Sequence, residues 1–276
     1  MFSAFKSIAA LAVVAASVSA YKPYPGFDES ICGADQSKPG MCIKDTKSDM
    51  YKLGKPIARL ALADNYYCTG WLFGSEGHML TNNHCIDTEA SAKAVRVEFD
   101  AECKTCEDPN NDKQLGCPGV IGANSTTLVY TDMALDFTLI KLDLVSGFDL
   151  DDYGYLQARA TPAKLDEEIF IIGHPNLKPK RFSWVNDDGK PAKIVNASTP
   201  SLCDEPDTYG YNVDTQGGSS GSPVFSTHDN KVVALHNCGG CTATDGQNTG
   251  NKMHLIVDAL KAKNLLPKDA VAGGSC

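Results

Sequence analysis

The segment from Gly217 to Phe225 reads GGSSGSPVF and sets serines among glycines directly before an apolar, β-prone run. A serine hydroxyl is a weak nucleophile at its ordinary pKa, so it needs a base, a carboxylate that orients the base, and donors for the oxyanion that forms. Glycine permits the backbone angles that turn N–H groups toward such an oxyanion. We therefore expect Ser220 to be a nucleophile, with the N–H groups of Gly218 and Ser220 as oxyanion donors.

Two other segments offer the base and the carboxylate. His84 ends a short strand-like run and stands beside Cys85, and Asp136 opens the apolar run DFTLIKL at the mouth of a predicted buried strand. The order His84, Asp136, Ser220 fits a catalytic triad, in which the imidazole takes the serine proton and the carboxylate fixes the imidazole. Asp132 competes for the carboxylate position. We prefer Asp136, because choosing Asp132 would leave a second acid inside the buried strand.

These three motifs resemble the chymotrypsin-like family of serine endopeptidases, over a stretch from about residue 55 to residue 260. The glutamyl and lysyl endopeptidase branch is the most similar, because Ser219 stands where animal trypsins carry an aspartate. The ion pair that activates animal zymogens therefore cannot form. The resemblance implies hydrolysis of peptide bonds through an acyl-enzyme, protein or peptide substrates, and neither a metal nor an organic cofactor.

The resemblance leaves two residue preferences open. Asp214 lies six residues before Ser220, where trypsin-like enzymes hold the aspartate that binds Lys or Arg side chains, and Asp245 is a further acid for such a pocket. Glutamyl endopeptidases instead pair a residue resembling Thr215 with a histidine resembling His236 to bind a substrate carboxylate. We favour cleavage after Lys or Arg, with cleavage after Glu as the alternative.

Binding without catalysis is the alternative class of function. Secreted relatives within this fold include noncatalytic proteins that bind another protein and inhibit it, and these relatives usually lose a triad residue. The chain keeps His84, Asp136 and Ser220, so we expect a serine-type endopeptidase. An esterase or lipase fits less well, because those folds carry their triads in the order Ser, Asp, His.

The beginning of the chain has the features of a secretory signal. Lys6 precedes the apolar run Ile8–Val14, and small residues stand at Val18–Ala20, so we expect cleavage before Tyr21 and an extracellular mature chain. No later segment approaches the ~20 apolar residues that a membrane span needs. The net charge of −9, without basic runs, argues against a nucleic-acid partner. We expect a monomer.

All 11 cysteines follow this signal, and an oxidising compartment predicts disulfides with at least one thiol left over. Cys68 and Cys85 bracket the hairpin that carries His84, where the family has a bridge. Cys32 and Cys42 resemble the N-terminal cysteines with which lysyl endopeptidases tie an arm to the body. Their partners stay open, Cys238 or Cys241 for Cys32 and Cys103, Cys106 or Cys117 for Cys42. The Cys103/Cys106 and Cys238/Cys241 spacings also suit zinc, but secretion favours disulfides.

Short apolar and β-branched runs, broken by Gly, Pro, Asn and Asp, predict an all-β fold with a C-terminal helix. The family resemblance implies that the strands form two antiparallel β-barrels. The clearest predicted strands are Ala92–Phe99, Ser125–Tyr130, Ile169–Ile172, Lys193–Val195 and Lys231–Leu235. The predicted divisions are a signal peptide at 1–20, an N-terminal arm with any pro-segment at 21–54, a first barrel at 55–150, and a second barrel with a closing helix near Lys252–Leu266 at 151–276. The segment Leu144–Pro162 links the barrels, which places the site in the cleft between them.

Two sequons, at Asn124 and Asn196, predict glycosylation. Asp108, Asn110 and Asp112 imitate the start of a calcium loop, but Lys113 replaces the glycine that such a loop requires. We interpret that segment as a polar loop and predict no metal site.

Overall fold

The computed structural model describes residues 30–242, 244 and 246–272, so the predicted signal peptide, Asp245 and Cys276 lie outside the described residues. The fold is all-β in class, as predicted: six strands form a closed barrel, eight form a second sheet, and a helix follows the last strand. Among the described helices, none is both long enough and apolar enough to cross a membrane.

The strands, numbered along the chain, are β1 (Lys38–Pro39), β2 (Ile57–Ala61), β3 (Tyr67–Leu72), β4 (His78–Thr81), β5 (Arg96–Phe99), β6 (Val120–Asp132), β7 (Phe137–Leu144), β8 (Ile169–Gly173), β9 (Arg181–Ser183), β10 (Ile194–Thr199), β11 (Thr208–Tyr211), β12 (Pro223–Ser226), β13 (Val232–Cys238) and β14 (Asn248–Lys252). The α-helices are α1 (Gly40–Ile43), α2 (Ser48–Leu53), α3 (Glu89–Ala94) and α4 (Met253–Ala262).

The first barrel closes in the order β2-β3-β4-β7-β6-β5, with antiparallel neighbours throughout. Closure pairs every strand on both sides and leaves no sheet edge exposed. Leu60, Met79, Val97 and Ile140 fill the interior and are fully buried. The rigid β3–β4–β7 wall is the part that positions the candidate site, because His84 and Asp136 both lie at its end.

The second sheet has the order β1-β9-β8-β12-β13-β14-β11-β10. Ile194, Tyr211, Val224 and Ala234 pack in its core. The helix α4 adds Met253, Ile256, Val257 and Leu260 to a large apolar cluster that includes residues of both the barrel and the second sheet. The segment Gly217–Ser222, which carries the candidate nucleophile Ser220 and is called the nucleophile segment below, ends where β12 begins, so its position is fixed by a strand that pairs on both sides.

The N-terminal arm is part of the second sheet. Its strand β1 pairs with β9, with Lys38 opposite Phe182 and Pro39 opposite Arg181. The Arg181 guanidinium also donates to the backbone oxygen of Ser37 at 2.9 Å and to the Asp112 carboxylate at 2.9 Å. The arm therefore extends the sheet that carries the nucleophile segment.

The segment Ala92–Phe99, predicted as one strand, is a helix followed by a shorter strand. The helix α3 ends at Ala94, and only Arg96–Phe99 pairs as β5. A capping box begins the helix: Thr88 Oγ1 accepts from the Ser91 N–H at 3.2 Å, and Ser91 Oγ accepts from the Thr88 N–H at 3.0 Å. This local capping and the alanines of the segment favour helix over strand.

Five disulfides join ten cysteines within the described residues. The pairs are Cys32–Cys241, Cys42–Cys106, Cys68–Cys85, Cys103–Cys117 and Cys203–Cys238. The two CxxC spacings that also suited zinc are thus divided among four different disulfides. The Cys32–Cys241 bond attaches the arm to the segment after β13, and the Cys42–Cys106 bond attaches it to the loop after β5.

Candidate active site

His84 and Asp136 form a buried pair at the end of the barrel. The Asp136 Oδ2 atom lies 2.9 Å from His84 Nδ1, and Oδ1 accepts from the backbone N–H of His84 at 3.0 Å. The two side chains are 7% and 4% exposed. A carboxylate at Nδ1 fixes the tautomer with the proton on that nitrogen, which gives Nε2 the acceptor role that a general base needs.

The strands β4 and β7 hold this pair, because Thr81 pairs with Thr138 at their ends. The Thr138 hydroxyl donates to the backbone oxygen of Ile86 at 2.6 Å, and the Asn82 side chain donates to the backbone oxygen of Asp136 at 2.9 Å. The Cys68–Cys85 disulfide ties the residue after His84 to β3. The histidine thus has backbone or covalent constraints on both sides.

Ser220 is 6% exposed and lies on the turn before β12. Its backbone oxygen accepts from the Thr69 N–H on β3 at 2.8 Å, and the next N–H, that of Gly221, donates to the His236 oxygen on β13 at 2.9 Å. Ser220 is therefore held between the barrel and the second sheet. Thr69 directly follows Cys68, and Cys68 is bonded to Cys85, the residue after His84.

Gly221 permits the close approach between the two sheets at this point. Its φ is +85°, and a Cβ atom there would lie 2.2 Å from the Thr69 oxygen and 2.6 Å from Thr81 Oγ1. Thr81 is three residues before His84 in the chain. Only glycine fits this position without moving the nucleophile segment away from the end of β4.

The turn before Ser220 directs its carbonyl groups away from the region where an oxyanion would form. The carbonyl of Gly217 accepts from the Asn176 N–H at 2.7 Å, and the carbonyl preceding Ser220 accepts from the Ser222 N–H at 2.8 Å. Because a trans peptide places its C=O and N–H on opposite sides, the N–H groups of Gly218 and Ser220 point away from Asn176 and Ser222. Gly218 adopts φ +100°, which favours glycine.

His174 lies directly beneath this turn. It is 1% exposed, its N–H donates to Thr69 Oγ1 at 3.1 Å, and a Cβ atom on Gly218 would lie 2.8 Å from its backbone oxygen. Burial holds the pKa of His174 well below its usual range, and the nearby Arg59 and Lys180 charges act in the same direction. The ring is therefore neutral, and the backbone of His174 packs against the turn.

Asp214 and Thr215 contact the N-terminal arm. Asp214 is 6% exposed, and its two carboxylate oxygens accept from the N–H groups of Cys32 at 3.0 Å and Gln36 at 2.7 Å. Burial raises the pKa of Asp214 to about 6. The N–H and the hydroxyl of Thr215 both donate to the Ser30 oxygen at 3.2 Å. Asp245, the other acid considered for a basic pocket, lies outside the described residues.

His236 is fully buried on β13, and its Nδ1 atom lies 2.7 Å from the Tyr211 hydroxyl. That hydroxyl donates its proton to the Thr249 oxygen at 2.7 Å, so it accepts from His236 Nδ1–H. Burial lowers the pKa of His236 to about 3, and the neighbouring His84 contributes in the same direction. The His236 imidazole is neutral at ordinary pH.

Glu205, which was not among the predicted site residues, lies near the His84–Asp136 pair. Glu205 is buried, accepts from the Asn237 side chain at 2.7 Å, and contacts the Ser201 hydroxyl. Burial raises its pKa, and the Asp136 charge adds to that rise. No motif surrounds it, and its place depends on the Cys203–Cys238 disulfide. The spacing of the cysteines in the sequence does not by itself reveal this pairing.

The sequons occupy two strands: Asn124 on β6 is exposed, whereas Asn196 on β10 is half-buried and accepts from the Ser198 N–H at 3.2 Å. The predicted polar loop forms a short 3₁₀ turn at Pro109–Asp112. Two groups that combine Cys with His or Asp have ligand atoms near one another among the described residues, but their cysteines are joined in disulfides.

Residues 68–235 match the trypsin-like peptidase domain, and the chain belongs to this family. The family predicted from the three motifs is thereby confirmed. The chain is 16% identical to two structures of the Rv3671c protease of M. tuberculosis H37Rv in inactive forms, with TM-scores of 0.53 and 0.54. These cover 84% and 82% of this chain and 96% of each of the other chains, and they show the same fold.

Two curated relatives are similar in sequence. The chain is 39% identical over 249 residues to Secreted RxLR effector protein 73 of Plasmopara viticola. The aligned stretch covers 89% of this chain and 58% of that protein. It is 31% identical over 176 residues to protein y4fB of Sinorhizobium fredii. That aligned stretch covers 62% of this chain and 25% of that protein. The chain thus spans little more than half the length of the first relative.

Proposed function

We propose that the chain is a secreted serine endopeptidase that hydrolyses peptide bonds through an acyl-enzyme. The observation that carries this proposal is the double contact of Asp136 with His84, placed at the junction where Ser220 is held between the two sheets. A buried carboxylate that engages both the ring and the backbone of one histidine orients a general base. The family membership supports the same chemistry.

In the first step, His84 takes the hydroxyl proton of Ser220 as the oxygen attacks the substrate carbonyl carbon. Asp136 stabilises the imidazolium that forms. The imidazolium then gives its proton to the leaving amine as the peptide bond breaks, which leaves an acyl-enzyme. Water attacks that ester with His84 again as the base, and the acid product leaves with Ser220 restored.

The N–H groups of Gly218 and Ser220 stabilise the tetrahedral oxyanion. The support for this role is the orientation of the turn, in which the carbonyl of Gly217 is held by the Asn176 N–H. Donors fixed before the reaction lower the barrier without reorganisation, and one such donor is worth roughly 10²–10³-fold in kcat.

Asp136 is favoured over Asp132 by their contacts. Asp132 Oδ1 accepts from the N–H groups of Ala134 at 3.0 Å and Leu135 at 3.1 Å, so it stabilises its own loop. Asp136 instead directs both of its carboxylate oxygens to His84.

Secretion is supported by two observations. The disulfides of the described residues suit an oxidising compartment, and the relative from Plasmopara viticola is named a secreted protein. We extend the proposal to cleavage of a signal before Tyr21 and to glycosylation of Asn124, the more exposed of the two sequons.

A second candidate function is binding of a target protein without catalysis. The observation that favours it is the name of the 39% identical relative, which calls that protein an effector. The complete set of His84, Asp136 and Ser220 favours the enzyme.

The test is a mass-spectrometric map of the bonds that the purified secreted protein cleaves in a denatured peptide library. We expect cleavage by the wild type and none by Ser220→Ala. Ser222→Ala, which changes a buried hydroxyl two residues away in the same turn, is the matched control and should cleave the same bonds. Cleavage that persists in Ser220→Ala, or absence of cleavage by the wild type, contradicts the proposal.

A further inference from the structure

Ser30, in the N-terminal arm, contacts three segments, one of which carries the candidate pocket residues Asp214 and Thr215. Its backbone oxygen accepts from the Thr215 N–H at 3.2 Å and from the Asn248 side chain at 2.7 Å. Its hydroxyl donates to Asn248 Oδ1 at 3.0 Å and accepts from the Gly240 N–H at 3.0 Å. Thr215 precedes the nucleophile turn, Gly240 follows β13, and Asn248 begins β14.

Asn248 completes this network from the opposite side. Its side chain is fully buried, and the same amide nitrogen that binds Ser30 also donates to the Val213 oxygen at 2.8 Å. Its Oδ1 atom accepts from the N–H groups of Gly240 at 3.0 Å and Cys241 at 3.3 Å. Ser30 and Asn248 thus link the three segments through polar atoms that bind one another.

The charge that could select a basic substrate side chain is also engaged by the arm. Each oxygen of Asp214 accepts a backbone N–H, one from Cys32 and one from Gln36. Hydrogen bonds to an ionised carboxylate are stronger than neutral ones. A Lys or Arg side chain would have to displace these contacts and the Ser30–Asn248 network before it could reach Asp214.

Several further contacts fix the arm in this place. The Cys32–Cys241 disulfide joins the arm covalently to the segment after β13. The Gly33 N–H donates to the Thr242 oxygen at 3.2 Å, and the Ala34 N–H donates to the Asp187 carboxylate at 3.0 Å. Gly33 adopts φ +84°, and a Cβ atom there would lie 1.8 Å from the Asp187 side chain. The arm is fitted closely to this surface.

We propose that residues 30–36 form the closed end of the primary specificity pocket, with Asp214 as a positioning residue for the arm. The pocket then takes a small, uncharged side chain such as Ala, Ser or Gly at the residue before the cleaved bond. This inference rests on the proposed peptidase function. It replaces the preference for Lys or Arg that the position of Asp214 suggested.

The contacts of His236 also argue against a preference for Glu. The ring is fully buried, its Nδ1–H binds Tyr211, and its low pKa keeps it uncharged. A neutral imidazole supplies no charge to offset a substrate carboxylate taken out of water. Both sets of contacts therefore argue for a pocket that offers no free charge to the substrate side chain.

The test measures kcat/KM on one peptide series that varies only the residue before the cleaved bond, for the wild type and Asp214→Asn. We expect the wild type to prefer Ala, Ser or Gly over Lys, Arg and Glu by at least roughly tenfold, the size of discrimination that a pocket's shape supplies. Asp214→Asn removes an anchor of the arm, so we expect this discrimination to narrow without a preference for Lys or Arg appearing. A wild-type preference for Lys or Arg that Asp214→Asn loses, or a preference for Glu, overturns the inference.

Hydrogen exchange of the arm provides a readout that does not depend on turnover. The N–H groups of Cys32 and Gln36 should exchange slowly in the wild type and faster in Asp214→Asn, because the carboxylate is their acceptor. Asp188→Asn changes a half-exposed carboxylate that pairs with Lys190 and is the control, with wild-type exchange expected in the arm. Rapid exchange of both N–H groups in the wild type contradicts an anchored arm.

A small fluorophosphonate separates failure of the inference from failure of the proposed function, because it reacts with an activated serine without needing a specificity pocket. Labelling of the wild type but not of Ser220→Ala, combined with cleavage after Lys or Arg, would retain the peptidase and reject the closed pocket. Absence of both labelling and cleavage would reject the two proposals together.

Discussion

Asp136 contacts His84 twice, through Oδ2 to the ring nitrogen Nδ1 at 2.9 Å and through Oδ1 to the backbone N–H at 3.0 Å. The second contact fixes where the histidine backbone lies, and the first fixes which ring nitrogen carries the proton. One carboxylate therefore determines both the place and the tautomer of the proposed base.

Substitution of this carboxylate tests its role. Asp136→Asn keeps the size of the side chain, but an amide nitrogen facing Nδ1 selects the wrong tautomer, so we expect kcat to fall by roughly 10³–10⁴-fold. The measurement is kcat on the best peptide from the library. Asp132→Asn is the matched control and should stay close to wild type. A large loss in Asp132→Asn with little loss in Asp136→Asn would assign the role to the other acid.

Gly218→Ala tests the proposed oxyanion turn, residues 217–220. The φ of +100° disfavours alanine, and the added Cβ would lie 2.8 Å from the His174 oxygen, so the turn must move. We expect kcat to fall by roughly 10²-fold with a smaller change in KM, because the lost donor acts mainly in the transition state. Gly189→Ala is the control, since it has φ +74° but no atom within 4 Å of the added Cβ. Equal effects of the two substitutions would assign the loss to general backbone strain.

The buried ion pair of Arg59 and Glu98 connects the barrel to the segment beneath the oxyanion turn. Arg59 Nη2 lies 2.8 Å from Glu98 Oε2, and Arg59 Nη1 donates to the Leu177 oxygen at 3.0 Å. Arg59→Met leaves Glu98 buried without its cation, so we expect the free energy of unfolding in urea to fall by about 3–5 kcal/mol.

Two controls accompany that measurement. Lys52→Met removes a cation from the exposed pair with Asp49 and should change the free energy of unfolding little. Arg59→Met combined with Glu98→Met should recover part of the loss, because no buried charge then lacks a partner. A double variant as unstable as the single one would show that packing, and not the charge, determines the effect.

His236 makes stability depend on pH. Its pKa is about 3 in the folded chain and 6.5 at its ordinary value, so the unfolded chain binds the extra proton between these limits. The stabilisation from the neutral buried ring is complete above pH 6.5 and is lost as the pH falls toward 3. From pH 7 to pH 5, we expect the wild type to lose roughly 2 kcal/mol more than His236→Gln.

The comparison between the two proteins isolates this histidine. Asp214 and Glu205 have raised pKa values, so their contributions have the opposite sign, and they are present in both proteins. Urea unfolding at pH 7 and pH 5 provides the four free energies. Parallel losses in wild type and variant would contradict a neutral, buried His236.

The fold class and the family could be predicted because the motifs around His84, Asp136 and Ser220 are local in the chain. The engagement of Asp214 could not, because its partners Cys32 and Gln36 lie 182 and 178 positions away. Glu205 was missed for a similar reason, since only folding brings it to the Asp136 charge. The end of helix α3, from Ala92 to Ala94, was predicted as strand from the apolar pattern, but the Thr88–Ser91 capping box favours a helix there.

The arm can be attached to the rest of the fold only late in synthesis. Cys32 leaves the ribosome early, yet its bonding partner Cys241 follows 209 positions later. Contacts so distant in sequence form slowly. The region around Ser30 is thus translated first but can settle only when nearly the whole chain has emerged. A nascent chain halted before Cys241 would hold His84 and Ser220 but would lack both the bonding partner of Cys32 and the Asn248 side chain that binds Ser30.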